Sequence, residues 1–326
     1  YLIKSKLINT AYSASLLFKS QALLDMSSVK HAYGLFQQDD ELLNANNEIN
    51  YLKRVLDGFT YNEKQNNKTA ILETIKDKGL QKEFYAQQRI PSSDFVLVEN
   101  ANEILQHQDK FPFFQKARKE GYDGKGVVVV LEESKLDKLM DAPSVIEDAV
   151  DIDKELSVIV ARNPSGEIKC FPLVEMEFNA EANLVEKLIC PANISKKIEE
   201  ESVRIAIKVA EAFNLVGLLA VELFLDKNGD ILVNESAPRT HNSGHHTIEA
   251  NITSQYEQQL RAIFDWPLGG TSILSPSVML NVLGEPNYIG NVKYEGLESV
   301  LRIPGVKPHI YGKKVTKPFR KMGHVT

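Results

Sequence analysis

Two acids are placed where they could do chemistry together. Glu222 interrupts the apolar run 216–224, and Glu235 follows the apolar run 231–233 and Asn234. Between the runs lies Asp226-Lys227-Asn228-Gly229-Asp230. Two β-prone runs joined through Asn-Gly predict a β-hairpin. With Asn228-Gly229 as a two-residue turn, Lys227 pairs with Asp230 and Glu222 falls directly opposite Glu235. Opposed side chains in an antiparallel pair have Cβ atoms roughly 4.5–5.5 Å apart, and like charges there repel. A divalent cation with oxygen ligands, Mg²⁺ or Mn²⁺ bridging to phosphates, would relieve that repulsion. A longer turn would shift the register by one and send one acid to solvent. Spacing alone leaves both arrangements open.

Lysines and glycines supply a second chemical signal. Residues 111–116 predict a strand that delivers Lys116. After it come Gly121-Tyr122-Asp123-Gly124-Lys125-Gly126 and a further strand over 127–131. Backbone N–H groups in such a glycine-rich loop approach an anion closely, and Lys116 and Lys125 flank it. A plain hairpin loop is the competing reading. Near the end of the chain, Lys313, Lys314, Lys317, Arg320 and Lys321 fall within nine residues. They suit a solvated edge strand or a phosphate clamp that closes on the site.

The elements that must hold these residues predict a mixed α/β (α+β) chain. A helical pattern over 71–88 stops at Ile90-Pro91. Short strands follow at 95–98, 144–147, 156–161, 168–174 and 184–189. The period of Ile198, Val203, Ile207, Ala210 and Phe213 predicts a packing helix over 195–213 with Ser195 as its N-cap. A second helix is expected over 247–264. Residues 1–75 carry no Gly-rich strand-to-helix loop and no dinucleotide-type fingerprint.

Composition narrows the classes. The chain has 326 residues, 43% hydrophobic and 25% charged, enough for two domains or one large one. A net charge of −6 argues against general nucleic-acid binding. Two cysteines, Cys170 and Cys190, without metal-type spacing favour a reducing cytoplasm. No run of about 18 apolar residues occurs, so no membrane-spanning helix is expected. The chain opens on Tyr1, as an incomplete record of a longer protein would.

Residues 121–126, Glu155 through Arg162, and Asn234-Glu235 through Gly244-His245 together resemble the N5-carboxyaminoimidazole ribonucleotide synthetase family, ATP-grasp enzymes of purine biosynthesis. Residues 254–262, Tyr311-Gly312-Lys313 and Arg320-Lys321-Met322-Gly323-His324 strengthen the likeness, which covers about 75–326. It implies an ATP-grasp fold with an N-terminal α/β domain (1–75, divergent or incomplete), an ATP-grasp domain (76–270) and a small β-rich C-terminal domain (271–326). It also implies a cytoplasmic homodimer that carboxylates 5-aminoimidazole ribonucleotide with ATP and bicarbonate.

By the same resemblance, Lys78, Lys116, Gly121, Tyr122, Gly124, Lys125, Gly126, Glu147, Val150, Glu155, Asn234 and Glu235 contact ATP. Glu222 and Glu235 are its metal pair. Tyr122, Asp123, Arg239, His241, Asn242, Ser243, Lys313 and Arg320 surround the ribonucleotide. Of these, Asp123 handles the amine proton, and Lys313 and Arg320 join it as catalytic residues. Two departures stand out. Phe178 occupies a position that is often histidine, and 1–75 shows nothing like the family's opening Gly-Gly-Gly-Gln-Leu-Gly type loop.

Overall fold

The computed structural model describes residues 65–119, 126–131, 136, 138–179 and 184–326. The chain divides into two units, 1–72 and 73–326. Of the first, only the opening turns of one helix are described, so the expected N-terminal α/β domain lies outside the described residues.

Helix α1 (Gln65–Lys76) and helix α2 (Lys78–Gln87) replace the single helix expected over 71–88. The break is chemical. Asp77 leaves helical geometry (φ −111°, ψ 111°), and its carboxylate accepts from Gly79 N and Leu80 N as the N-cap of α2. Arg118 then forks onto the same carboxylate, with Nε 2.9 Å and Nη2 3.0 Å from its two oxygens.

The chain continues through β1 (Phe95–Val98), α3 (Ala101–Ile104), β2 (Phe113–Ala117), β3 (Val127–Val130) and β4 (Ser144–Asp148). These strands form an antiparallel sheet of order β1-β4-β2-β3. Val98, Ile104, Phe113, Val130 and Ile146 form its apolar core.

Residues 149–151 lead out of this sheet into β5 (Ile152–Arg162), the start of a larger one. There follow β6 (Ile168–Cys170), β7 (Val174–Asn179), β8 (Leu184–Cys190), α4 (Lys196–Ala212), β9 (Gly217–Asp226) and β10 (Ile231–Ala237). Next come α5 (Thr247–Ala250), α6 (Gln255–Ile263), β11 (Ser277–Leu283), β12 (Gly290–Asn291), α7 (Leu297–Leu301), β13 (Pro308–Ile310), β14 (Val315–Thr316) and β15 (Lys321–Val325). Among the described residues the large sheet runs β10-β9-β5-β7-β8-β11-β15-β13, with β6 on β5. The C-terminal strands therefore continue the sheet from β8 without a gap.

Helix α4 is capped by Ser195, whose side chain accepts from Ile198 N, as its sequence predicts. It buries Ile205, Ala206, Val209 and Ala210. The helix expected over 247–264 is instead split. Asn251 is extended and bridges Ile273, and Ser254 caps α6 by accepting from Glu257 N at 3.2 Å. Ser254 and Glu257 have the spacing of a capping box, which starts a new helix more readily than it sits inside one.

The hairpin corrects the sequence reading at its turn and still arrives at the predicted pair. Leu225 pairs with Ile231, so the turn is one residue longer than Asn228-Gly229 alone, and Lys227 does not face Asp230. Asp226 Oδ1 accepts from Asn228 N and Asp230 N, and Gly229 takes φ +89° to close the turn. A β-bulge between Val233 and Glu235 then shifts the register back, and Glu235 pairs with Glu222. Without the bulge, Asn234 would oppose Glu222.

Candidate active site

The site forms where the two sheets meet. Residues 149–151, with Val150 among them, are the crossing between β4 and β5. On the small-sheet side, β2 delivers Lys116 and β4 delivers Glu147. On the large-sheet side, β5, β9 and β10 deliver Glu155, Glu222 and Glu235.

Helix α2 adds residues that the sequence reading did not single out. Tyr85, wholly buried, donates to Gln81 Oε1 at 2.7 Å, and its oxygen lies 2.8 Å from Ser236 Oγ, which can donate to it. Gln81 Oε1 also accepts from Ser236 N at 2.9 Å. Phe84 stacks on Phe213 with ring centroids 4.2 Å apart. Sewn to β10 in this way, α2 brings Lys78 onto Glu235, where Nζ and Oε2 form an ion pair. Lys82, one turn further along, is buried and reaches Ser93 Oγ at 2.7 Å and Glu147 Oε2 at 3.1 Å. The helical spacing of Lys78 and Lys82 was the available signal, but no local pattern marks a lysine for burial.

Glu147 is saturated by protein groups. It pairs with Lys82 and with Lys116 at 3.1 Å each and accepts from Ser93 Oγ at 2.7 Å. Burial favours its neutral form, but Lys116 and Lys82 prevail and hold it below the ordinary carboxylate range. Burial pulls Lys82 below its usual value against the opposing pull of Glu147. Lys116 also donates to Asn234 Oδ1 at 2.9 Å, so one lysine spans both sheets. Lys78, Lys82, Lys116, Glu147, Asn234 and Glu235 line a cleft at this junction.

The two opposed acids divide their roles. Burial opposes charge on Glu235, yet the Lys78 ammonium keeps its carboxyl low. The balance differs at Glu222. Burial, then the neighbouring Glu235 and Glu155 carboxylates, pushes it up to about 8, against the attraction of Lys78 and Lys321. Burial also pushes Glu155 up to about 7, with Lys116 opposing. Three clustered carboxylates thus share too little positive charge. Among the described residues no group of three or more His, Cys, Asp or Glu side chains is placed to hold an ion alone. An opposed pair of hard oxygen donors with an adjacent amide does suit a cation that completes its shell with phosphate and water.

The other expected site residues take varied positions. Tyr122, Asp123, Gly121, Gly124 and Lys125 lie outside the described residues, while Gly126 closes onto β2 through Ala117 N, 2.8 Å from its carbonyl. Arg239 is exposed and donates to Thr240 O at 3.1 Å. His241 Nε2 lies 3.5 Å from Glu222 Oε1. Asn242 and Asn281 exchange side-chain hydrogen bonds of 2.8 and 3.0 Å, tying the loop after β10 to β11. Ser243 is buried. Lys313 Nζ donates to Lys321 O, and Arg320 Nη1 to Val315 O at 2.6 Å. Phe178 packs on the cluster of Val174, Met176, Val185, Leu188, Cys190 and Met279, which accounts for an apolar residue there.

Comparison with known proteins places this geometry. The ATP-grasp domain model matches residues 83–256, and the phosphoribosylaminoimidazole carboxylase C-terminal domain model matches 277–326. N5-carboxyaminoimidazole ribonucleotide synthase of Bacillus subtilis is 40% identical over 238 residues, covering 71% of this chain and 60% of the relative. The chain thus spans less than two thirds of that curated relative. The crystal structure of N5-carboxyaminoimidazole ribonucleotide synthetase from Thermotoga maritima is 46% identical with a TM-score of 0.70, covering 78% of this chain and 67% of that one. A synthase from Aspergillus clavatus, in complex with ADP and 5-aminoimidazole ribonucleotide, is 31% identical with a TM-score of 0.71, covering 78% and 69%. The chain belongs to the N5-carboxyaminoimidazole ribonucleotide synthetase family of ATP-grasp proteins.

Proposed function

We propose that this chain carries the catalytic centre of an ATP- and bicarbonate-dependent ligase that converts 5-aminoimidazole ribonucleotide to N5-carboxyaminoimidazole ribonucleotide. The observation that carries this reading is the register of Glu222 opposite Glu235, beside Lys78 and Lys116, at the junction of two sheets in a chain of this family. ATP and 5-aminoimidazole ribonucleotide enter as substrates from the ligands of relatives. Residues 76–270 form the nucleotide half and 271–326 the closing segment. A cytoplasmic homodimer belongs to the same reading. Both cysteines are free, and no described helix is long and apolar enough to cross a membrane.

Bicarbonate attacks the γ-phosphate of ATP, giving carboxyphosphate and ADP. Carboxyphosphate then breaks down, releasing inorganic phosphate and delivering CO₂ to the exocyclic amine. Lys116, Lys78 and the loop 121–126 hold the phosphates. Asn234 sets the Lys116 ammonium, and Glu147 and Val150 fall on the stretch that receives the adenine. Glu155 holds the ribose. Glu222 and Glu235 would hold Mg²⁺, which when bound neutralises charge on the phosphate tail. Arg239, His241, Asn242, Lys313 and Arg320 face the ribonucleotide with Tyr122, and Asp123 takes the amine proton. Most of the catalysis is then positioning and charge neutralisation.

The test is ADP release. Turnover with ribonucleotide and bicarbonate together, and none when the ribonucleotide is omitted, supports the reading. ADP release only with another amine makes the chain an ATP-grasp ligase of different acceptor. Nucleotide binding without turnover on any amine removes the enzyme reading.

A further inference from the structure

Ser157 and Glu222 are cross-strand neighbours on β5 and β9. The loop after β10 folds back over this pair and joins its two ends by a second route. Ser243 Oγ lies 2.9 Å from Ser157 Oγ and 2.9 Å from His241 Nδ1. The other ring nitrogen of His241 is the one that faces Glu222, at 3.5 Å. Ser157 is thus linked through Ser243 to His241, whose far nitrogen faces Glu222, the strand neighbour of Ser157.

The direction of these contacts follows from donor chemistry. The backbone N–H of Ser243 points at His241 Nδ1 from 3.3 Å. An N–H can only donate, so Nδ1 accepts, and the proton of the neutral ring sits on Nε2. The Ser243 hydroxyl donates to the same Nδ1, leaving its oxygen free to accept from Ser157. The backbone that carries the ring is held in place, because the Gln255 amide accepts from His241 N and donates to His241 O, both at 2.8 Å.

Burial decides what Ser243 can touch. Ser157 is 1% exposed and Ser243 is 2% exposed, so neither hydroxyl is open to a ligand. Their polar atoms are spent inside the protein, which is what a device for orienting another group requires.

We propose that Ser157 and Ser243 are positioning residues that hold the His241 ring, whose tautomer the Ser243 backbone N–H sets, and aim its Nε2–H at Glu222 Oε1. One carboxylate oxygen is then steadied by His241, and the other is presented to a divalent cation. This inference rests on the reading of Glu222 and Glu235 as a cation pair. Outer contacts of this kind, when lost, cost about 10- to 100-fold in metal affinity.

The experiment uses the full chain with ¹⁵N-labelled histidine. A long-range ¹H–¹⁵N correlation, with the His241 signals identified by their loss in His241→Gln, reads the tautomer directly. The wild type should show Nδ1 unprotonated and Nε2 protonated, and Ser243→Ala and Ser157→Ala, which keep the Ser243 backbone N–H, should retain that tautomer. In a parallel titration of Mn²⁺ with ADP present, both alanine variants should bind about tenfold more weakly or worse, while Ser157→Thr, which keeps the hydroxyl, restores binding. An Nδ1–H tautomer in the wild type overturns the proposal, as does wild-type Mn²⁺ affinity in both alanine variants. Glu222→Gln separates the two ideas. If it too binds Mn²⁺ normally, the cation pair is wrong, while the wild-type tautomer still judges whether Nε2–H is what faces Glu222. If an alanine variant does not fold, the wild-type tautomer and Ser157→Thr still decide the outcome.

Discussion

Lys78 Nζ and Glu235 Oε2 form an ion pair between the first residue of α2 and the bulged stretch of β10. This pair decides which of two opposed acids keeps its charge. Burial pulls the Lys78 ammonium down, but Glu235 and Glu222 outweigh it and hold it protonated above its ordinary range. Lys78 thus lends a positive charge to the acids before any nucleotide arrives.

Replacing that charge should cost little stability and much nucleotide affinity. The Lys78 side chain is 22% exposed and that of Glu235 is 41% exposed, so water screens the pair. Lys78→Met should lower unfolding free energy by about 1 kcal/mol in urea titrations. ADP affinity, read by calorimetry, should fall roughly tenfold, one charged contact's worth. Wild-type affinity would remove Lys78 from the phosphate site.

Glu222 should weaken the ligand-free protein as pH rises. Burial and the neighbouring Glu235 and Glu155 carboxylates push its carboxyl up to about 8 in the folded chain, from an ordinary value of 4.5. Between those values the folded chain holds a proton that the unfolded chain has lost, so stability falls with rising pH across the window. Glu222→Gln should match wild type near pH 4.5 and exceed it above pH 8, by on the order of 2–4 kcal/mol. The same variant should lose stabilisation by Mg²⁺ and ADP. Thermal unfolding at both pH values, with and without nucleotide, checks both arms.

His246 should set an acid limit. Burial pulls its imidazole down to about 4, partly offset by the Ser243 backbone. The unfolded ring binds a proton near 6.5, so stability is full above that pH and is lost as pH falls towards 4. The loss amounts to roughly 3 kcal/mol. His246→Phe should flatten the profile between pH 6.5 and 4 in thermal melts. An unchanged slope would assign the acid sensitivity to other groups.

Gly244 leaves no room for a side chain. A Cβ there would press on Ile159 Cδ1 and sit 2.7 Å from the Gln255 amide that clamps His241. Gly244→Ala should cost about 1–3 kcal/mol, the usual range for an overpacked core. It should also impair Mn²⁺ binding with ADP more than Gly270→Ala, whose nearest neighbour is 3.7 Å away. Equal binding in the two variants would mean that the loop tolerates displacement.

Much of this was written in local sequence. The apolar runs on either side of Asn228-Gly229 determined a hairpin, Ser195 and the apolar period determined helix α4, and the motifs at 121–126 and 234–245 determined the family. These signals depend on neighbours a few residues away, which is why they are readable. The pairing of Glu222 with Glu235 was reached from the sequence through a two-residue turn. In the folded chain it is produced by a longer turn and a compensating bulge at Asn234. That bulge is held by distant partners: Asn234 accepts from Lys116, and Val233 N donates to Pro91 O at 2.8 Å. The burial of Lys82, the capture of Glu235 by Lys78 and the inward turn of Ser243 likewise needed tertiary structure. Each depends on a partner far along the chain, and burying a polar side chain is costly unless folding supplies such a partner.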